Sequence, residues 1–356
     1  MAEDSIQNAR AALEGAPSQE TWERVLAIVD ACPDDDLAAL IDTIEPEVTR
    51  WEVPYSTRWA VDQNTYGCAG ASYKWSQFMP LGELRVAPYS WTMDLAAGGD
   101  SPKYRLVHAV VTRDTGFNGS KISKILSCKS LTNLRQLDAD TNKLSKTLFK
   151  KLRTAPSTRT LERFRFAHVD AKTVAGIEGE HHLENLRTLA MYLDFATRED
   201  ALHALMRADA FAHVEDFEIY PGSAYIILNG LTGPDVLPNL KSLTFVDGGG
   251  RDLGKTLAHP VVARLERVRL DVWWQSLTRV LDDITAHVTT LRHLDLSLQG
   301  LEYGQAIAQP QHASELAEAL RAWTPPSCLE TLTLGRWHTD ALADELSEAH
   351  GIAVVA

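Results

Sequence analysis

Cysteine is scarce. The chain has four, Cys32, Cys68, Cys128 and Cys328, far apart and without a CxxC. That excludes a disulfide framework and a zinc ribbon, and predicts reduced thiols in a cytoplasmic protein. Positive charge is in deficit: 35 Lys and Arg stand against 48 Asp and Glu, a net charge of −13. An acidic surface repels phosphate backbones, so neither nucleic acid nor an anionic membrane is expected as a partner. No uncharged apolar run approaches ~18 residues, so no spanning helix is predicted. The opening MAEDSIQNAR lacks a basic n-region and an apolar h-region, so no secretory signal is expected. No G-x-S-x-G or comparable signature sets a nucleophile beside a base, and no catalytic residue is assigned. His181 and His182 have no Cys or acidic pair at ligand spacing, so no metal is expected. DADTN at 138–142 starts like a calcium loop, but Lys143 stands where glycine is needed and Phe149 where glutamate is needed.

What the chain has is apolar content and repetition. It is 356 residues long and 45% hydrophobic, enough for a large core. The phrase LxxLxL recurs as LRQLDA (134–139), LERFRF (161–166), LRTLAM (186–191), VEDFEI (214–219), LKSLTF (240–245), LERVRL (265–270), LRHLDL (291–296) and LETLTL (329–334). Fainter copies are VTRWEV at 48, LGELRV at 81 and YRLVHA at 104. After each head comes a turn, an apolar helical stretch and a polar or proline turn, with Pro156, Pro234 and Pro260 at the same place. Proline has no N–H for the next helical bond, so it stops the helix there. The spacing predicts an α/β chain of strand–helix units with a period of about 26 residues.

This pattern resembles the leucine-rich repeat family, with heads of the form LxxLxLxxNxL. The helical backs look most like its ribonuclease-inhibitor-like class, as in bacterial cytosolic members with divergent repeats. Only the unit at 134–144 carries the full signature, with Asn142; elsewhere that place holds Val169, Asp194, Gly222, Gly248, Trp273, Gln299 or Trp337. The resemblance implies a curved solenoid with parallel strands on the concave face and short helices on the convex face. It divides the chain into a helical cap (1–47), divergent aromatic-rich first repeats (48–103) and the regular solenoid (104–356).

Two amphipathic stretches predict the cap. Trp22, Val25, Leu26 and Val29 share a helical face behind Ser18 as N-cap, and Leu37, Leu40, Ile41 and Ile44 share another. Pro33 and Pro46 are expected to close the two helices. The stretch 51–91 gathers Trp51, Tyr55, Trp59, Tyr66, Tyr73, Trp75, Phe78, Tyr89 and Trp91, as core at the junction or as contact surface.

One motif pulls elsewhere. Gly249, Gly254, Lys255 and Thr256 fit the phosphate-loop template G-x-x-x-x-G-K-[ST]. A working loop needs a long helix and a distant acid, whereas Pro260 follows Thr256 closely and the next strand begins at 265. The repeat explains each element instead, and no cofactor is expected.

The functional expectation is a non-enzymatic protein-binding module: a scaffold, an inhibitor, or the recognition subunit of a regulatory or defence system. Positions 3 and 5 of each head should point out of the strand face. They supply Arg85, His108, Asp138, Arg163, Arg165, Glu218, Arg267, Arg269 and Asp295 as candidates, with Tyr192 and Tyr220 at the rim. Trp273 and Trp274 form a further candidate patch. Two readings of the charges stay open: ladders in which Asp138 reaches Arg165 and Arg269 reaches Asp295, or arginines that clamp an acidic partner. The partner is another protein, taken by a monomer. The alternatives are an enzyme with a site in 54–100, or a self-associating structural protein.

Overall fold

The computed structural model describes residues 2–14, 18–49, 87–112, 117–139, 145–167, 171–192, 199–220, 228, 231, 233, 235–245, 253–273, 277–299, 310–334 and 340–355. Within them lies one sheet of ten strands, all parallel, in strict chain order. The strands are β1 (Ala109–Val111), β2 (Gln136–Ala139), β3 (Arg163–Ala167), β4 (Thr188–Tyr192) and β5 (Asp216–Tyr220). They continue as β6 (Ser242–Phe245), β7 (Arg267–Trp273), β8 (His293–Gln299), β9 (Thr331–Leu334) and β10 (Ala353–Val355). Sequential order is what a unit that cannot bury its own apolar face produces when it stacks on copies of itself. The chain is therefore an α/β, solenoid-like array.

The helices form the second layer. Ahead of β1 come α1 (Ala2–Leu13), α2 (Gln19–Ala31), α3 (Asp34–Thr49) and α4 (Tyr89–Ala97). Between strands lie α5 (Gly119–Leu126), α6 (Lys146–Thr154), α7 (Ala171–Val174) and α8 (Glu199–Met206). Then follow α9 (Leu253–Leu257), α10 (Leu277–His287), α11 (Pro310–Ala322) and α12 (Asp340–His350). Local chemistry starts several of them. The Ser18 hydroxyl accepts from Thr21 N, as the sequence predicts, and Asn118 and Ser145 cap α5 and α6 in the same way. The core lies between the layers. Phe149 of α6 packs edge-on against Phe164 and Phe166 of β3, and all three are fully buried.

Eight strands begin at position 3 of the eight clear heads, from Gln136 to Thr331. The first head needs correction. Ala109 pairs with Gln136, so β1 belongs to a head that starts at Val107, three residues later than YRLVHA implies. Residues 102–106 are instead a 3-10 turn that buries Tyr104 and Leu106, and this spacing imitates strand alternation. The cap also differs. It has a third helix, α1, and Pro46 does not end α3. The helix runs on to Thr49 because Val48, one turn beyond Ile44, is fully buried. VTRWEV therefore begins in a helix, not a strand. The tail GIAVVA supplies the tenth strand. LGELRV lies outside the described residues.

Acidic cap residues tie the cap to the array. Asp30 accepts from Trp91 Nε1 at 2.8 Å, and Arg105 forms ion pairs with Asp42 and Glu45. Glu45 also accepts from Asn133 Nδ2 at 2.9 Å. Trp91 is buried, whereas Tyr89 is 66% exposed; the aromatics of 51–78 lie outside the described residues.

Each unit is stitched to the one before it by two polar ladders. The carbonyl of position 2 accepts from the N–H groups of positions 2 and 3 in the next unit; His108 O, Arg135 O and Glu162 O begin a series that runs to Arg292 O. The residue just before several of the heads supplies the second ladder. Asn133, Asn185 and Asn239 donate Nδ2 to the carbonyls of Arg105, Arg159 and Ala212, and Thr290 Oγ1 donates to Ala263 O. These side chains give turn carbonyls a partner from the next unit. Asn142 lies outside the described residues.

Candidate functional site

The side chains that point away from the helices follow from the register. Position 3 reads Ala109, Gln136, Arg163, Thr188, Asp216, Ser242, Arg267, His293 and Thr331 across β1 to β9. Position 5 reads Val111, Asp138, Arg165, Ala190, Glu218, Thr244, Arg269, Asp295 and Thr333. The acid pair of β5 is thus bracketed two strands away on each side by an arginine pair, with small side chains on β4 and β6 between.

Parallel strands are about 4.8 Å apart, so β3 and β5 are separated by about twice that. Thr188 and Ala190 leave room for a long side chain to cross β4. Arg163 does cross, and its Nη2 pairs with Glu218 Oε2. Arg165 meets Asp138 on the adjacent β2 at 3.4 Å, and both side chains are 3% exposed. Burial dominates at Asp216 and pushes its carboxyl above the usual range, against the hydrogen bond that the carboxylate accepts from Ser242.

The two arginine pairs differ in access. Arg163 and Arg165 are buried, with Gln136, Asp138 and Ala190 around them. Arg267 is exposed and Arg269, His293, Asp295, Thr331 and Thr333 are half-buried. The face is closed at β2–β4 and open at β7–β9. Of the two readings of the charges, Asp138–Arg165 is a ladder pair. The register also sets Arg269 opposite Asp295.

The other candidates divide as follows. His108 sits one residue ahead of β1, at position 2 rather than 5, and is buried. Tyr192 and Tyr220 are register partners on β4 and β5. Trp273 is the last residue of β7, opposite Gln299. Arg85 and Trp274 lie outside the described residues, as does Gly249. Gly254, Lys255 and Thr256 lie in α9, a helix of five residues, and Thr256 is 2% exposed. His181 is in a turn, where its Nδ1 accepts from Leu183 N at 3.3 Å. Among the described residues no cluster of His, Cys, Asp and Glu could hold a metal ion, and no helix is long and apolar enough to cross a membrane.

The strand entrance carries a pattern that positions 3 and 5 do not. Position 2 reads Arg135, Glu162, Arg187, Glu215, Lys241, Glu266, Arg292 and Glu330, with the sign alternating at every step. Glu215 lies 3.9 Å from Arg187 and 2.9 Å from Lys241; Arg135 and Glu162 are 3.8 Å apart, and Arg292 and Glu330 3.4 Å. Reading the second residue of each of the eight heads is enough to find it once the heads are aligned.

No family model matches the chain, and no curated protein matches it either.

Proposed function

We propose that the chain is a leucine-rich-repeat solenoid of the ribonuclease-inhibitor-like class that binds another protein and performs no chemistry of its own. What supports the class is the run of LxxLxL heads, each entering its strand at position 3, in a sheet of strictly sequential parallel strands. What supports the binding role is the difference between the two arginine pairs. Arg163 and Arg165 are committed to Glu218 and Asp138 inside the molecule. Arg267 stands exposed at the same positions four strands later, beside half-buried Arg269, His293 and Asp295. An exposed arginine fork on a rigid sheet matches a carboxylate bidentately at little entropic cost. The partner surface is therefore acidic and meets β7–β9, and the β2–β4 half serves as scaffold.

The test is photo-crosslinking in the native cell from a reactive residue placed at Thr331. The expected result is one dominant adduct, lost when Arg267→Glu and Arg269→Glu are combined. An adduct that is unchanged by the reversal would remove β7–β9 from the binding face.

A further inference from the structure

The net charge of −13 hides an uneven distribution. Residues 117–161 hold ten of the chain's 35 Lys and Arg but two of its 48 Asp and Glu, which leaves 25 against 46 elsewhere. The excess stands on the helical layer, not on the strand face. Lys121 and Lys124 on α5, Lys129 just after it, and Lys146 and Lys150 on α6 are exposed, and Lys151 is half-buried. None of these six is in an ion pair with a described carboxylate. Several cations elsewhere are matched: Arg105 with Asp42, Arg207 with Asp235, Arg321 with Glu345. Lys121 and Lys146 even stand in the first turn of their helices, where the helix dipole disfavours positive charge.

A second observation falls on the neighbouring helix. α4 packs beside α5 in the same layer. Its Tyr89 is 66% and its Met93 38% exposed, one helical turn apart. Among the described residues, the large apolar side chains left exposed are these two and Val355. Tyrosine and methionine are enriched at interfaces, where they anchor and adapt.

The neighbourhood narrows the partner. Sequence-tolerant binding of single strands needs several aromatic platforms, and among the described residues of this layer Tyr89 is the one exposed aromatic. A duplex or an anionic bilayer extends past the patch and meets the acidic remainder of the chain. Insertion into a bilayer needs a long apolar stripe, which two side chains do not make. A short acidic segment ends where the patch ends. We propose that the helical face of α4, α5 and α6 docks an acidic protein segment carrying an apolar anchor, with Tyr89 and Met93 receiving the anchor and Lys121, Lys124, Lys146 and Lys150 the carboxylates. This site is separate from β7–β9 and does not rest on it.

The probe is a fluorescein-labelled, glutamate-rich peptide with a central Leu-Phe pair, read by anisotropy on the full chain. Binding is expected, weakening about tenfold as NaCl rises from roughly 50 to 300 mM. Lys121→Glu, Lys124→Glu, Lys146→Glu and Lys150→Glu together should abolish it with the far-UV circular dichroism melt intact. If that set fails to fold, the four Lys→Gln changes should still weaken binding at least tenfold. Tyr89→Ala should weaken it severalfold and leave the salt slope unchanged. The proposal is overturned if the peptide does not bind, or if duplex DNA or phosphatidylserine vesicles bind better. It is also overturned if binding survives the lysine reversal and is lost with Arg267→Glu and Arg269→Glu, which would put the peptide on the strand face.

Discussion

Asp138→Asn removes a charge and keeps the shape. The amide is isosteric with the carboxylate, so no cavity forms and the effect is electrostatic. In the native protein Asp138 Oδ2 lies 3.4 Å from Arg165 Nη1, with both side chains 3% exposed. Without the carboxylate, a guanidinium stays in a site that water barely reaches. Breaking a buried pair from one side costs about 3–5 kcal/mol. Replacing both partners with apolar residues of similar volume is often neutral, so Asp138→Leu with Arg165→Met is expected within about 1 kcal/mol of wild type. Urea unfolding of Asp138→Leu, Arg165→Met and the double variant measures the cycle, and Asp138→Asn gives the charge effect alone. In a stacked array each unit leans on its neighbours, so amide exchange should speed up first in β2 and β3. A single substitution costing less than about 1 kcal/mol, or a double variant worse than either single, would refute the assignment of this pair as a buried, coupled one.

Three further outcomes are expected. Lys241→Glu places a third carboxylate beside Glu215 and Glu266, so the melting temperature should fall at low ionic strength and recover in about 0.5 M NaCl, since screening acts on exposed charges. His259 is buried, and burial pulls its imidazole below the usual value. The unfolded chain therefore binds the proton more readily, and the stability His259 contributes is present above about pH 6.5 and is lost as pH falls through the lower folded value. The urea midpoint should drop between pH 7.5 and 5.5, and by less in His259→Asn. Burial, with the Asp100 carboxylate beside it, pushes the Cys128 thiol up to about 12, while Cys328 is half-buried. A disulfide reagent at pH 8 should label Cys328 in the native protein and leave Cys128 until urea is added.

The regular part of the array was legible because one constraint repeats. Leu, Phe and Val must return at fixed places in each head to meet the helices, and β2 to β9 enter where those places say. The ends obey other constraints. Tyr104 and Leu106 alternate as strand residues would, but they fill a 3-10 turn under the cap. α1 has a weaker apolar face, with Ala9 and Ala12 as its buried residues, and its pattern is easily passed over. The candidate face was legible as a list of residues and not as an accessibility map. Arg163 and Arg267 occupy equivalent positions, and the sequence does not say that one is buried and the other exposed. The basic helical patch was missed for a different reason: a whole-chain net charge averages over the unit that departs from it.

The alternating entrance charges have a consequence for how such a chain can change length. Loss of the unit beginning at Leu161 would set Arg135 beside Arg187, two like charges at ladder spacing. Loss of two successive units, those beginning at Leu161 and Leu186, would set Arg135 beside Glu215 and keep the order of signs. The heads repeat singly, but the charges repeat in pairs. A change of length by two units therefore keeps the entrance ladder matched, and a change by one does not.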